Sequence, residues 1–172
     1  MLGIRFDTVP AGIDERMPRE HSDPEALVRE AALAKARAVH EQRTDALIIG
    51  CDTLVTLDGY ILGKPVDDRE AMRMLAQLAG RENVVYSGIA LIAPDGREVA
   101  GAEATTVTMT LMSAAEIAGY VSTGEPLDKA GAYAIQGLGA RFIERIDGCY
   151  FNVVGLPVHR MLALARELGI EL

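Results

Sequence analysis

A chain of 172 residues, 49% hydrophobic and with a mean hydropathy of +0.15, can bury one substantial core or two small lobes that share a cleft, and it is not disordered. Its formal charge of −8 argues against a nucleic-acid coat or an anionic membrane surface as partner, but a few local cations can still hold a small polyanion. No apolar stretch nears the roughly 20 residues that span a bilayer, and residues 1–7 lack a charged-then-apolar secretory pattern, so a cytoplasmic location is expected.

Residues 4–9 alternate apolar and polar side chains with the period of a strand, then run into a loop through Gly12-Ile13-Asp14-Glu15. Asp23-Pro24 is a helix start, with Asp as N-cap and Pro in the first turn. The helix expected over residues 24–40 sets Val28, Ala32, Lys35 and Val39 on one stripe. Lys35 interrupts that apolar stripe, either snorkelling with its amine in water or reaching a partner. Ala46-Leu47-Ile48-Ile49-Gly50-Cys51 is the most apolar run in the chain and predicts a strand buried on both faces. Asp52-Thr53 then stands at the carboxyl end of that strand, where open α/β sheets bind ligands; an Asp that only caps a turn fits the same place.

Gly63-Lys64-Pro65 follows, and Asp67 can cap a helix that runs to residue 79 and stops at Gly80. Residues 83–93 and 99–111 read as two strands joined by Pro94-Asp95-Gly96. Ser113-Ala114-Ala115-Glu116 is a capping box opening a short helix, broken by Thr123-Gly124-Glu125-Pro126. Two more strands are expected over residues 132–136 and 141–146, turned around Gly137-Leu138-Gly139 and closed by Asp147-Gly148. A last helix spans residues 157–168, with Gly169 as its stop. Strands alternating with helices around a central hairpin suit an α/β fold, a mixed and strongly curved sheet with flanking helices, divided into two lobes. With no repeat, low-complexity tract or linker, residues 1–172 read as one domain.

Four places combine polar chemistry with loop or strand-end positions: Glu15, Asp52-Thr53, Gly63-Lys64-Pro65, and the segment from Leu127 to Gln136 that holds Asp128-Lys129. The carboxylates of Glu15 and Asp52 could hold a hard divalent cation, which prefers oxygen ligands. Lys64 and Lys129, with Lys35, could neutralise phosphate oxygens. Together they suggest metal-assisted phosphoanhydride hydrolysis, although acids and lysines on loops are also ordinary solvated surface. Rival chemistries lack their motifs. There is no Walker A sequence and no Gly-x-Ser-x-Gly elbow, and Gly137-Leu138-Gly139 precedes an expected strand where a dinucleotide fingerprint opens a helix. Cys51 and Cys149 stand apart, and His21, His40 and His159 are scattered, so neither a zinc site nor a structural disulfide is expected.

Taken in order, Cys51-Asp52-Thr53-Leu54-Val55, Gly63-Lys64-Pro65, Asp128-Lys129-Ala130-Gly131-Ala132-Tyr133-Ala134-Ile135-Gln136-Gly137 and Asn152-Val153-Val154-Gly155-Leu156-Pro157 closely resemble the Maf family of nucleoside triphosphate pyrophosphatases. The resemblance covers nearly the whole chain. It implies a two-lobed fold like that of the inosine-triphosphatase group, with a central cleft. It also implies hydrolysis of a nucleoside triphosphate to the monophosphate and pyrophosphate, aided by a divalent metal, Mg2+ or Mn2+ foremost. Asp52 matches the family's proton acceptor or metal-organising acid, and Glu15, Lys35 and Lys64 match its other charged site residues, with Glu15 beside Asp52 on the metal. Thr53 and Gln136 match positions linked to base selection, as in the subfamily acting on dTTP and UTP, and Lys129 joins the substrate-binding set. A Gln amide donates and accepts at once, which suits a pyrimidine edge carrying a carbonyl and an N–H and suits other bases too. The expected partner is the nucleotide, with no nucleic acid or membrane and with a homodimer admitted.

One departure stands out. Family members begin with a strand, then Ser-x-Ser-Pro-Arg-Arg and a helix, which give hydroxyls and two arginines to the phosphates. This chain has no such motif, and Leu2-Gly3-Ile4 resembles the end of that helix, so the domain is expected to be N-terminally truncated relative to the family. Two expectations follow. One is an active pyrophosphatase, read from too late a start or working with fewer cations. The other is a catalytically weak or inactive nucleotide-binding or dimerisation module that has lost its phosphate-binding loop.

Overall fold

Local chemistry sets most element boundaries in the computed structural model, which describes residues 3–13 and 23–172. The Asp23 carboxylate accepts from the Glu25 N–H at the head of α1 (Pro24–His40), and Asp67 does the same for Glu70 at the head of α2 (Asp68–Leu78). Ser113 and Glu116 complete both halves of the capping box on α3 (Ala114–Val121). A short α4 (Tyr150–Val154), absent from the sequence expectations, precedes α5 (Val158–Glu167).

Five strands form one sheet: β1 (Ile48–Leu57), β2 (Tyr60–Leu62), β3 (Glu82–Ile92), β4 (Glu98–Met109) and β5 (Ile143–Asp147), in the spatial order β2-β1-β3-β4-β5. The α/β class with helices flanking a sheet holds, and the four pairings among the described residues are all antiparallel. Several expectations about strands are corrected. Residues 4–9 form no strand, and Phe6 stands 80% exposed. The segment over residues 132–136 is not a strand either, because Gly131 (φ 70°) and Ala132 (φ 60°) turn through the left-handed region just before it. Residues 137–142 form a 3-10 segment, so β5 begins only at Ile143. The strand predicted from the apolar run at residues 46–51 does not end at Asp52. Asp52 and Thr53 lie inside β1, which continues to Leu57 and turns through Asp58-Gly59 into β2, an Asp-Gly hairpin signal that the sequence carries. Burial on both faces holds only from Leu54 onward, whereas Ile49 is 40% exposed.

β1 pairs with β3 without interruption from Ile48 to Thr56, so the two-residue period holds along it. Ile48, Gly50 and Asp52 face α1, while Cys51, Thr53 and Val55 face the other side. On the α1 side the packing is backbone against backbone. A Cβ on Gly50 would fall 2.3 Å from the Ala32 carbonyl oxygen, and one on Gly88 would fall 1.9 Å from that of Val28. Only glycine lets α1 settle this deeply, with Val28, Ala32 and Ala36 fully buried against the sheet. On the other side one apolar cluster joins Val55, Val85 and Val107 to Leu75 and Leu78 of α2 and Ile117 of α3. A second joins Ile89 and Leu91 to Met161, Leu164 and Leu168 at the last helix. Each side chain of this size contributes about 1.5–3 kcal/mol when fully buried. α4 lies on the same side, pinned by Asn152, whose Nδ2 donates to the Val85 carbonyl at 3.0 Å and to Thr105 Oγ1 at 2.9 Å.

Candidate functional site

The site grows from the open edge of β1. Among the described residues, β2 covers β1 only from Val55 to Leu57, so Cys51 to Leu54 have β3 on one side and a cleft of about 1160 Å³ on the other. Because strand neighbours point to opposite faces, Asp52 and Thr53 serve this cleft from two sides of one edge.

On the α1 side, Lys35 extends from the buried stripe of its helix and donates from Nζ to Asp52 Oδ1 at 2.6 Å. Asp52 is 7% exposed and Lys35 19% exposed, so the amine meets a carboxylate and does not snorkel into bulk water. A pair this sheltered is held by geometry more than by net stability, since desolvating both charges offsets much of their attraction.

On the opposite face Thr53 Oγ1 lies 2.8 Å from Ser87 Oγ, its cross-strand partner, and Ser87 Oγ donates to the Asn152 carbonyl at 3.1 Å. Cys51, next along that face, has Sγ 3.0 Å from the Gly88 carbonyl and 2.9 Å from that of Gly155. Burial, helped by the Asp52 charge, pushes its thiol up to about 12. Cys51 is therefore a neutral donor that ties β1 to the α4 turn, and not a nucleophile.

The remaining wall comes from two loops tied together where the Gly131 N–H donates to the Gly63 carbonyl at 3.1 Å. That bond brings Lys64 beside Asp128 and Lys129. Lys129 Nζ donates to Asp128 at 2.5 Å, and this bond, with a smaller contribution from the Lys64 charge, holds the Asp128 carboxyl below its usual range. Downstream, the loop bearing Gln136 is clamped by Glu125, which accepts from the N–H groups of Leu138 and Gly139 and from the Tyr120 hydroxyl, each at 2.9 Å. Burial alone would raise the Glu125 carboxyl, but these donors outweigh it and hold it low. Gln136 is exposed, and its Nε2 donates to the Tyr150 hydroxyl at 3.3 Å.

Lys35, Asp52, Thr53, Lys64, Lys129 and Gln136 thus line one cavity although they come from positions a hundred residues apart. Glu15 lies outside the described residues. Arg73 of α2 also lines the cleft, donating to Glu70 at 3.0 Å. In sequence it looks like one more charge on a solvated helix face. Ser87 and Tyr150 were equally hidden, because their roles depend on cross-strand register and on α4. For a metal, the donor set is oxygen of the hard-cation kind. Among the described residues no three His, Cys, Asp or Glu side chains converge where they could hold a metal ion, and Asp52 is the carboxylate at the cleft edge that could take part in holding one.

A family model described as Maf-like protein matches residues 1–168 of this chain. A dTTP/UTP pyrophosphatase of Moorella thermoacetica is 49% identical over 171 residues, covering 99% of this chain and 88% of that protein. One from Dictyoglomus turgidum is 43% identical over 172 residues, with 99% and 89% covered. A crystal structure of a nucleoside-triphosphatase / dITP/XTP pyrophosphatase from Mycobacterium abscessus aligns with 91% of this chain and 76% of that one at 15% identity, and its TM-score of 0.41 is too low to add weight. With a family match over nearly its full length and a relative 49% identical across 99% of it, the chain belongs to the Maf-like family.

Proposed function

We propose that this protein is a hydrolase that cleaves nucleoside triphosphates, dTTP and UTP ahead of others, to the nucleoside monophosphate and pyrophosphate. The observation that carries the reading is the 2.6 Å Lys35–Asp52 pair opening into the same cleft as Lys64, Lys129, Thr53 and Gln136. Cations suit a polyphosphate, and a neutral hydroxyl and amide suit a base. The relatives named dTTP/UTP pyrophosphatase support the choice of substrate.

In this reading Asp52 accepts a proton from the attacking water. The water oxygen forms a bond to the α-phosphorus, and the bond to the α–β bridging oxygen breaks, releasing pyrophosphate. Lys35 holds the Asp52 carboxylate along the cleft edge through its 2.6 Å bond. Lys64 and Lys129 offset charge on the phosphate chain as point charges without a fixed fork. A divalent cation, Mg2+ or Mn2+, would be held by Asp52, with Glu15 as the second acid, and when bound it polarises phosphoryl oxygen. The test is a panel of ribo- and deoxynucleoside triphosphates assayed for pyrophosphate release with divalent cation present and chelated. dTTP and UTP should lead and chelation should stop them. Release from no triphosphate removes the proposal.

A further inference from the structure

The hydrogens of the Thr53–Ser87–Asn152 chain can be counted. Ser87 is fully buried, and its Oγ sits 3.1 Å from the carbonyl oxygen of Asn152. A carbonyl has no hydrogen to give, so the one between these two oxygens belongs to Ser87. Ser87 Oγ is also 2.8 Å from Thr53 Oγ1, and with its own hydrogen spent it can only accept there. The Thr53 hydrogen therefore points inward to Ser87. What Thr53 turns to the cleft is lone pairs alone. The far end of the chain cannot drift to relax this order. The Asn152 carbonyl also accepts from the Gly155 N–H at 2.9 Å, and the Asn152 amide is anchored to Val85 and Thr105. Thr53 and Gly155 both line the cleft, and Gly155 brings no side chain against the hydroxyl, where a Cβ would come into contact with Thr53 Oγ1 at 3.7 Å.

We propose that Ser87 is a positioning residue for base selection, which makes Thr53 an obligate acceptor and so admits bases that present a ring N–H while disfavouring those that present a bare ring nitrogen. This rests on the reading of the cleft as a nucleoside triphosphate site. Uracil and thymine carry N3–H between two carbonyls. Cytosine carries a lone pair at N3, which would face the Thr53 lone pairs, and such polar mismatches cost far more than a missing methylene does. The sugar and phosphates of UTP and CTP are identical and their bases differ only at N3 and the adjacent C4 substituent, so the change in their ratio on altering Ser87, rather than the wild-type ratio itself, reports this contact.

The experiment measures kcat/KM for UTP and CTP in the wild type, Ser87→Ala, Thr53→Val and the double variant. Ser87→Ala frees the Thr53 hydroxyl to rotate and donate. The UTP:CTP ratio should then narrow by about tenfold or more, chiefly through a rise for CTP. Thr53→Val should lower UTP turnover, and adding Ser87→Ala to it should leave the ratio where Thr53→Val put it. Should Ser87→Ala fail to fold, Ser87→Cys fills the buried site with a weak acceptor and narrows the ratio in the same direction. Parallel losses for UTP and CTP, with the ratio unchanged in the folded Ser87 variant, overturn the inference and leave the functional reading standing. A wild type that turns over no triphosphate overturns both.

Discussion

Removing the charge of Asp52 separates chemistry from stability. Asp52→Asn keeps the shape and deletes the carboxylate that Lys35 meets at 2.6 Å. Losing an acid/base group lowers turnover about a hundredfold or more, or about 2.7 kcal/mol of barrier at 1.36 kcal/mol per tenfold. Removing one partner of a fully buried pair costs about 3–5 kcal/mol of stability. Lys35 keeps 19% of its side chain in solvent and can rehydrate, which reduces the cost to about 1–2 kcal/mol. At about 2–4 °C per kcal/mol for a chain of this size, Tm should fall by about 2–8 °C. Lys35→Met should cost more, because Asp52, the more buried member at 7% exposure, keeps its charge and loses this contact. The double variant should recover part of the lost Tm, with a coupling of about 1–2 kcal/mol, and none of the lost turnover. Calorimetry and pyrophosphate release on the four proteins complete the cycle. Turnover in Asp52→Asn within about threefold of wild type would falsify the chemical role, and zero coupling would mean the pair does not form.

Lys64 is exposed and Lys129 keeps 40% of its side chain in solvent, so Lys64→Met and Lys129→Met should each leave stability within about 0.5 kcal/mol while raising KM for UTP and flattening its salt dependence. An unchanged KM at low salt assigns both to plain surface. Gly88→Ala places a methyl 1.9 Å from the Val28 carbonyl oxygen, where no side chain can yield, and should cost about 3 kcal/mol or more; a Tm near wild type contradicts the backbone contact of α1. Glu125 is held low by its donors, so the stability it lends is present above its unfolded pKa of about 4.3 and is lost as pH falls through the lower folded value. Glu125→Gln should melt earlier than wild type at neutral pH and converge with it on acidification, and a pH-independent gap in Tm counts against the clamp.

Caps were legible in the sequence because a cap is a contract between residues two or three apart: Asp23 with Glu25, Asp67 with Glu70, Ser113 with Glu116. The site residues were legible as charged or amide groups in recurrent strings, and six of them share the cleft. Their geometry was not. Placing Asp52 at a strand end follows from reading the apolar run as the whole strand, whereas Thr53 to Leu57 extend it, and Val55 and Leu57 join the core with α2 and α3. The consequence is that Asp52 and Thr53 work from opposite faces of an edge and not from one loop. The Ala132 turn was hidden because a left-handed alanine is set by its surroundings, here Gly131 packed against Val55. Ser87 looked like an ordinary strand residue, and only the register of β1 with β3 gives it a hydroxyl partner.

The most direct test of the central claim is the identity of the products from UTP, followed by phosphorus NMR on the purified wild-type protein. Hydrolysis to UMP and inorganic pyrophosphate in equal amounts, abolished in Asp52→Asn, is the predicted result. Formation of UDP and inorganic phosphate, or no turnover of UTP with divalent cation present, contradicts it.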